Sequence, residues 1–171
     1  MSIQSNVAIA DAHDIAMPST RSAGFFPRPL AAGGSVIPRI VLFDDDPLFS
    51  CAIERIARIN SIPLVSICDV SDVARIANQN FDLAIVDFDL GDITGIEVAQ
   101  FLQDSVANVP ILMVSYTNRW ETQEDPWPRT VRQFVRKDVG PAAIIEEAIK
   151  VFNCRSLPSS RSWEKRLKLM R

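Results

Sequence analysis

The chain has 171 residues, 47% hydrophobic and 23% charged, with a net charge of -3. This size suits one globular domain with tails, and the small net charge excludes a general electrostatic affinity for nucleic acid. No apolar run approaches the roughly 20 residues of a membrane span, and the N-terminus lacks the basic and apolar regions of a secretory signal. The three cysteines are odd in number and irregularly spaced, which favours neither a disulfide framework nor a zinc site. We therefore expect a cytoplasmic protein.

Both ends of the chain differ in composition from its middle. Residues 1–38 are rich in Ala, Ser, Gly and Pro without a hydrophobic period, so we interpret them as a flexible extension. The alternative is a docking segment that uses Phe25 and Phe26. Residues 153–171 form a basic tail, which is either solvated or binds an acidic partner, anionic lipid or nucleic acid. Roughly twenty residues cannot build a DNA-binding domain with its own core, so we expect none in this chain.

The middle of the chain, residues 39–152, alternates between apolar, strand-like runs and amphipathic helices. The predicted strands are Arg39–Phe43, Leu64–Cys68, Phe81–Val86, Pro110–Val114 and Thr130–Arg136. The predicted helices are Pro47–Ile59, Asp72–Asn78, Ile96–Leu102 and Pro141–Phe152, and Pro126 and Pro128 allow only a short helix within Thr117–Arg129. This alternation predicts an α/β protein of the (βα)5 flavodoxin-like type. It is a three-layer sandwich whose parallel five-stranded sheet has the order 2-1-3-4-5.

The first helix has the clearest boundaries. Asp46 is a favourable N-cap, Pro47 suits the first helical position, and Asn60 ends the helix. The face predicted to point inward carries apolar residues at three- and four-residue spacing: Leu48, Phe49, Ala52, Ile53, Ile56 and Ile59.

Two of the predicted strands end on carboxylates. Asp44, Asp45 and Asp46 follow the first strand, and Asp87 follows the third. If these strands are neighbours, their acidic ends converge at the carboxyl edge of the sheet, where open α/β folds bind ligands. Two carboxylates about 4 Å apart repel each other by roughly 4 kcal/mol at an effective dielectric near 20. Such a cluster requires a cation or a proton, unless the acids are only a solvated strand end and a helix cap.

Five segments in this order are similar to a response-regulator receiver domain of two-component signalling, of the single-domain type. They are Val41–Pro47, Asp82–Asp87, Gly95 eight residues past Asp87, Pro110–Ser115 and Phe134–Lys137. The resemblance covers residues 39–152. It implies that Asp87 accepts a phosphoryl group from a histidine kinase or a histidine phosphotransfer protein. It also implies that Asp44, Asp45 and Asp87 hold Mg²⁺ together with the backbone carbonyl of Asp89, in keeping with the preference of Mg²⁺ for hard oxygen ligands.

The resemblance also implies roles for three residues near the ends of the last two strands. Ser115 hydrogen-bonds the phosphoryl group, Lys137 pairs with Asp87 and then with a phosphoryl oxygen, and Phe134 is an aromatic switch residue that acts with Ser115. The implied function is a stand-alone receiver that switches protein–protein interactions with a target protein in a phosphorelay. It is not an enzyme beyond its own Mg²⁺-dependent phosphorylation and dephosphorylation. The face formed by the fourth helix, fifth strand and fifth helix is the expected place for a homodimer.

Departures from the family pattern keep two alternatives open. Asp89 adds an acid two residues past the acceptor, where it repels a phosphoryl group or orients a hydrolytic water, and Tyr116 replaces a small residue. Together with the eroded fourth helix, they suggest a pseudo-receiver that acts as a phosphorylation-independent interaction module. Asp87-Phe88-Asp89 is also similar to the Asp-x-Asp of haloacid-dehalogenase-like phosphatases. That family, however, places its acidic metal pair after the lysine, whereas Asp44 and Asp45 precede every other motif.

Overall fold

The computed structural model describes residues 36–69, 72, 76, 80–105, 109–118 and 127–154. Within them the strands are β1 Ile40–Phe43, β2 Leu64–Ile67, β3 Leu83–Asp87, β4 Asp89–Leu90, β5 Ile93–Thr94, β6 Ile111–Ser115 and β7 Val131–Arg136. The helices are α1 Pro47–Ile59, α2 Gly95–Ser105 and α3 Pro141–Asn153, and a 3-10 turn covers Lys137–Val139. Among these described helices, none combines the length and the apolar character that crossing a membrane requires.

Five strands form one parallel sheet with the order β2-β1-β3-β6-β7. Counted in chain order without the two short strands, this is 2-1-3-4-5, so the predicted fold class is confirmed. The strands β4 and β5 form a separate antiparallel hairpin, which the sequence analysis did not predict. The order puts β1 next to β3, the central strand, and puts β6 on the other side of β3.

Side chains alternate along the central strands and fill two apolar layers, one on each face of the sheet. Ile40 and Leu42 of β1 belong to the layer under α1 and α3, while Val41 and Phe43 belong to the layer under α2. Every residue of β1, β3 and β6 is buried, as expected for strands covered by helices on both faces. The layer under α1 and α3 also takes up Val36 and Ile37, so packing begins ahead of the first strand.

The strand β3 lies one to two residues later in the chain than predicted. The buried Asp82 carboxylate accepts hydrogen bonds from the Arg39 backbone N–H at 3.0 Å and from its guanidinium at 3.3 Å, and Asp82 precedes the strand. The ladder to β1 begins where Ile40 pairs with Leu83. As a result Asp87 is the last residue of the strand rather than the first residue after it.

The helix α1 has the predicted ends, but the prediction that all of its apolar residues face inward is wrong for two of them. Asp46 caps it by accepting hydrogen bonds from the N–H groups of Leu48 at 2.9 Å and Phe49 at 3.3 Å. The side chains that reach the core are Phe49, Ile53 and Ala57, at four-residue spacing. Leu48 is 81% exposed and Ile59 is 69% exposed, because they lie on the edge of the apolar stripe that faces away from the sheet.

The helix α2 is longer at both ends than predicted and starts with a capping box. The Thr94 hydroxyl donates to the Glu97 carboxylate at 2.9 Å, and the Thr94 N–H donates to the same oxygen at 2.7 Å. In return the Glu97 N–H donates to the Thr94 hydroxyl at 3.3 Å. This reciprocal pair satisfies backbone donors that a helix start leaves open, and it fixes the helix directly after the hairpin.

Several predictions concern segments outside the described residues. Of the predicted helix Asp72–Asn78, only Asp72 and Ile76 are described. Most of Thr117–Arg129, residues 1–35 and residues 155–171 also fall outside. The predictions of a short fourth helix, a flexible extension and a basic tail therefore remain predictions.

Candidate functional site

The ends of β1, β3 and β7 bring two carboxylates and an ammonium group together. The pairing of Phe43 with Val86 in adjacent strands makes Asp44 and Asp87 neighbours at the carboxyl edge of the sheet. The Lys137 ammonium contacts the carboxylate oxygens of Asp44 and Asp87, each at 2.7 Å. All three residues are buried, so their attraction acts in a medium that screens charge weakly.

Burial and ion pairing act against each other on the pKa values of this group. Burial raises the pKa of Asp44 to about 6, against the lowering effect of Lys137. Burial likewise raises the pKa of Asp87, with Lys137 again opposing the shift. Burial alone would lower the pKa of Lys137, but its contacts with both carboxylates outweigh burial and raise it. The lysine therefore remains charged, and the two carboxyl groups take up protons more readily than free aspartates.

Asp44, Asp45 and Asp87 form an acidic group suited to a metal ion. Each offers a carboxylate oxygen, and these oxygens lie within 4.8 Å of one another. Asp44 Oδ2 is buried, and the Lys137 ammonium lies 2.7 Å from it. Asp45 is exposed, so the group is open to solvent on one side. Hard oxygen donors with an open side fit Mg²⁺, which keeps several of its waters.

Asp46 does not belong to this metal-binding group, although it follows Asp45 directly. Its carboxylate is used as the N-cap of α1, where it accepts from two helix N–H groups. Its backbone N–H donates to Asp44 Oδ1 at 3.0 Å, so it also fixes the orientation of the buried carboxylate. The three consecutive aspartates therefore have different partners.

Ser115 and Asp89 are joined by a hydrogen bond that the sequence analysis did not predict. Ser115 ends β6 and is fully buried, and its hydroxyl lies 3.2 Å from the carboxylate oxygen Oδ2 of Asp89. Thr117 contacts the same hydroxyl, through its own Oγ1 at 3.2 Å and its N–H at 3.1 Å. The Asp89 N–H donates to Asp87 Oδ1 at 3.4 Å, so Asp89 contacts both the predicted acceptor and the predicted switch serine. The predicted metal-binding role of its backbone carbonyl remains a prediction.

Two aromatic rings lie against the buried lysine, one from Phe49 in α1 and one from Tyr116, the residue after β6. The Lys137 ammonium is 4.3 Å from the centroid of Phe49 and 5.2 Å from that of Tyr116. The two rings meet edge to face, with centroids 6.4 Å apart. These distances are within the range of cation–π contacts. Tyr116 stands out in the sequence, but nothing there connects Phe49 with Lys137, because the three residues come from distant parts of the chain.

Phe134, the predicted switch residue, packs into a row of three aromatic rings. Trp127 lies between Phe134, at a centroid distance of 6.3 Å, and Phe88, at 6.0 Å. Phe88 directly follows the predicted acceptor Asp87 and is buried. The row therefore connects Phe88, next to the predicted acceptor, with Phe134 in β7 through continuous packing, a connection that the sequence analysis did not identify.

The chain is similar to known proteins in sequence pattern and in fold. The family model described as response regulator receiver domain matches residues 40–149. No curated protein matches the chain.

Three solved structures illustrate the structural likeness. A CheY-like receiver domain protein from Methanospirillum hungatei is 18% identical, with a TM-score of 0.59 over 70% of this chain and 96% of that one. CheY4 of Vibrio cholerae is 16% identical, with a TM-score of 0.59 over 68% and 99%. The response regulator TrrA of Thermotoga maritima, solved with Mg²⁺ and BeF, is 18% identical, with a TM-score of 0.59 over 67% and 99%.

At these identities the solved structures show the fold, while the family model identifies the domain. That model spans most of the folded part of the chain, from β1 into the last helix. We conclude that the chain belongs to the response regulator receiver domain family.

Proposed function

We propose that this protein is a stand-alone response-regulator receiver that accepts a phosphoryl group on Asp87. The donor is a histidine kinase or a histidine phosphotransfer protein, and the phosphorylated chain binds a downstream target protein differently from the unphosphorylated one. The membership of the receiver family supports phosphoacceptor signalling in general. The protein works in the cytoplasm and turns over no separate substrate.

The observation that carries this proposal is the position of Lys137 between Asp44 and Asp87. An ammonium group at 2.7 Å from both carboxylates holds Asp87 in place and supplies positive charge beside it. A transferred phosphoryl group adds negative charge at this point, and fixed positive charge nearby lowers the cost of that step. The lysine then moves from the carboxylate to a phosphoryl oxygen.

The transfer itself is a simple exchange of bonds. An oxygen of the Asp87 carboxylate forms a bond to phosphorus, and the bond from phosphorus to the donor's histidine nitrogen breaks. The electron pair of that bond stays on the imidazole, which takes up a proton, and Asp87 becomes an acyl phosphate. Asp44 and Asp45 would hold Mg²⁺ with Asp87, and the bound ion would supply positive charge that stabilises the negative charge of the phosphoryl group.

Phosphorylation by acetyl phosphate tests this proposal directly. The purified full-length chain is incubated with acetyl phosphate and Mg²⁺, and intact-mass spectrometry follows the addition of one phosphoryl group. We expect Asp87→Asn to abolish the addition and Asp92→Asn, which changes an exposed acid in the nearby turn, to leave it unchanged. Mg²⁺-dependent labelling that persists in Asp87→Asn would reject Asp87 as the acceptor.

The alternative of a phosphorylation-independent pseudo-receiver is not favoured. The argument for it is that Asp89 and Tyr116 disturb the site, yet the Lys137 ammonium contacts both Asp44 and Asp87. Beryllofluoride with Mg²⁺ separates the two functions, because it mimics a phosphoryl group on an acceptor aspartate. Saturable binding with NMR shifts at Ser115 and Phe134 supports the receiver, and the absence of any response supports the pseudo-receiver.

A further inference from the structure

The contacts of Ser115 fix the direction of every hydrogen bond around it. Its hydroxyl has one proton to donate, and a carboxylate can only accept. The contact at 3.2 Å with Asp89 Oδ2 therefore uses that proton. It follows that the Thr117 hydroxyl and the Thr117 N–H both donate to the Ser115 oxygen, at 3.2 Å and 3.1 Å.

This arrangement leaves the Ser115 hydroxyl with no free hydrogen-bonding capacity. Its proton points to Asp89, and both of its lone pairs are occupied by Thr117. Ser115 is fully buried, so water does not compete for these positions. A phosphoryl oxygen on Asp87 offers only acceptors, so it can bond to Ser115 only after the proton leaves Asp89.

We propose that the Asp89 carboxylate is an internal competitor of the phosphoryl group for the Ser115 hydroxyl. The unphosphorylated chain then holds its switch serine on an acid of its own. This inference rests on the proposed function, since it concerns how phosphorylation of Asp87 is read out. It makes Asp89 a positioning residue, because its effect reaches the phosphoryl group through Ser115.

The location of Asp89 suits such a competitor. It lies in the two-residue strand β4, the residue as a whole is exposed, and its N–H donates to Asp87 Oδ1 at 3.4 Å. An exposed side chain can turn into solvent when it releases the serine, whereas Ser115 at the end of β6 is fixed by the sheet. The exchange therefore requires a side-chain rotation of Asp89 and a turn of one hydroxyl proton.

Binding of beryllofluoride with Mg²⁺ to the full-length chain tests the inference. We expect Asp89→Ala to bind about tenfold more tightly than the wild type, since a hydrogen bond to a charged group must otherwise be broken. Asp89→Asn keeps a weaker acceptor and should fall between the two. Asp92→Asn removes an exposed charge from the turn of the same hairpin and should bind as the wild type does.

A double-mutant cycle separates competition for the hydroxyl from simple repulsion between two anions. If Asp89 acts through Ser115, Asp89→Ala has no effect in a Ser115→Ala background, because the contested hydroxyl is gone. An equal gain in both backgrounds would show that charge repulsion alone is at work and would overturn the inference. Equal affinities of wild type, Asp89→Asn and Asp89→Ala would overturn it as well.

A second measurement needs no ligand. The Thr117 N–H donates to the Ser115 oxygen, so its NMR chemical shift should move in Asp89→Ala and stay unchanged in Asp92→Asn. An unchanged Thr117 signal in Asp89→Ala would contradict the inference. If the wild type binds beryllofluoride and the variants bind it with the same affinity, the inference is wrong but the proposed function stands. If none of the proteins binds beryllofluoride, both the inference and the proposed function are wrong. If Asp89→Ala binds it and the wild type does not, both are supported.

Discussion

Gly95 lies directly against the backbone of Asp87. A Cβ atom built on Gly95 would be 2.1 Å from the Asp87 carbonyl oxygen and 2.9 Å from the carbonyl carbon. The Gly95 N–H also donates to the carbonyl of Phe88 at 2.8 Å. The first residue of α2 therefore has no room for a side chain, and its closeness fixes the backbone of the proposed acceptor.

We expect Gly95→Ala to destabilise the protein by about 3 kcal/mol or more, because the methyl group meets backbone rather than a flexible side chain. Gly91→Ala is the matched control. Its cost comes from a positive φ of 65°, with its nearest neighbour 3.6 Å away, so we expect only about 1 kcal/mol. Urea unfolding of the three proteins checks the order, and equal losses would contradict the close contact.

Neighbouring aspartates should respond differently to the same substitution. Asp45→Ala removes an exposed carboxylate from the acidic group and should weaken Mg²⁺ binding with little change in stability. Asp46→Ala removes the N-cap of α1 and should cost about 1 kcal/mol of stability. Calorimetric titration with Mg²⁺ and thermal unfolding measure the two effects. Loss of Mg²⁺ binding in Asp46→Ala with no change in stability would reverse the assignment.

The raised pKa of Asp44 predicts a pH-dependent stability in the absence of metal. Its pKa is about 6 in the folded protein and near 3.8 in an unfolded chain, so the folded state binds more protons between these values. Stability from this group therefore increases as the pH falls from about 7 towards 4. Asp44→Asn should remove this increase and stabilise the metal-free protein at pH 7 by about 1–3 kcal/mol.

Unfolding curves with a chelator at pH 5 and pH 7 test the Asp44 prediction. The difference between wild type and Asp44→Asn measures the contribution of this carboxyl, including its coupling to the charged groups nearby, Asp87, Asp45 and Lys137. Lys137 keeps Asp87 as its partner in the variant. A variant less stable than the wild type at pH 7 would show that the ion pair outweighs burial.

Tyr116 should restrict the access of small phosphoryl donors. Its ring meets Phe49 edge to face and lies 5.2 Å from the Lys137 ammonium, beside the proposed acceptor. We expect Tyr116→Ala to be phosphorylated several-fold faster by acetyl phosphate, while Tyr116→Phe keeps the ring and the wild-type rate. Initial rates from intact mass measure this effect. Equal rates in all three proteins would show that the ring is no barrier.

Trp127 should report on the state of the acceptor. It contacts Phe88 next to Asp87 and the predicted switch residue Phe134, so a rearrangement at either ring changes its surroundings. In a background with Trp120 and Trp163 replaced by Phe, we expect beryllofluoride with Mg²⁺ to change the remaining fluorescence. Trp127→Phe in that background is the control, because it contains no tryptophan. An unchanged signal on saturation would show that the row of rings does not respond.

Much of the fold could be predicted because its signals are local. Asp46, Pro47 and Asn60 mark both ends of α1 through capping chemistry, and the alternation of apolar runs fixes the parallel sheet and its order. The start of α2 could also have been predicted, since Thr94 and Glu97 have the spacing of a capping box. The exposed Leu48 could not, because spacing alone does not locate the centre of an apolar stripe.

The site was less accessible to sequence reasoning where its contacts join distant segments. The carboxylates at the ends of β1 and β3 could be placed together from the strand order alone. The contact of Phe49 with Lys137 joins residues from α1 and the end of β7, and the bond from Ser115 to Asp89 depends on the short hairpin. In neither contact does the sequence around one residue indicate which distant residue it meets.

The aspartates at 44, 45 and 46 look identical in the printed sequence, yet each position is defined by its distance from the end of β1. Deletion of any one of the three would leave the same sequence, two consecutive aspartates. The remaining pair would then have to serve burial, metal contact and helix capping with one carboxylate too few. In an alignment with a related sequence that has only two aspartates here, a misplaced gap would match residues that have different structural roles. The gap should therefore be placed by counting from the end of β1 rather than by residue identity.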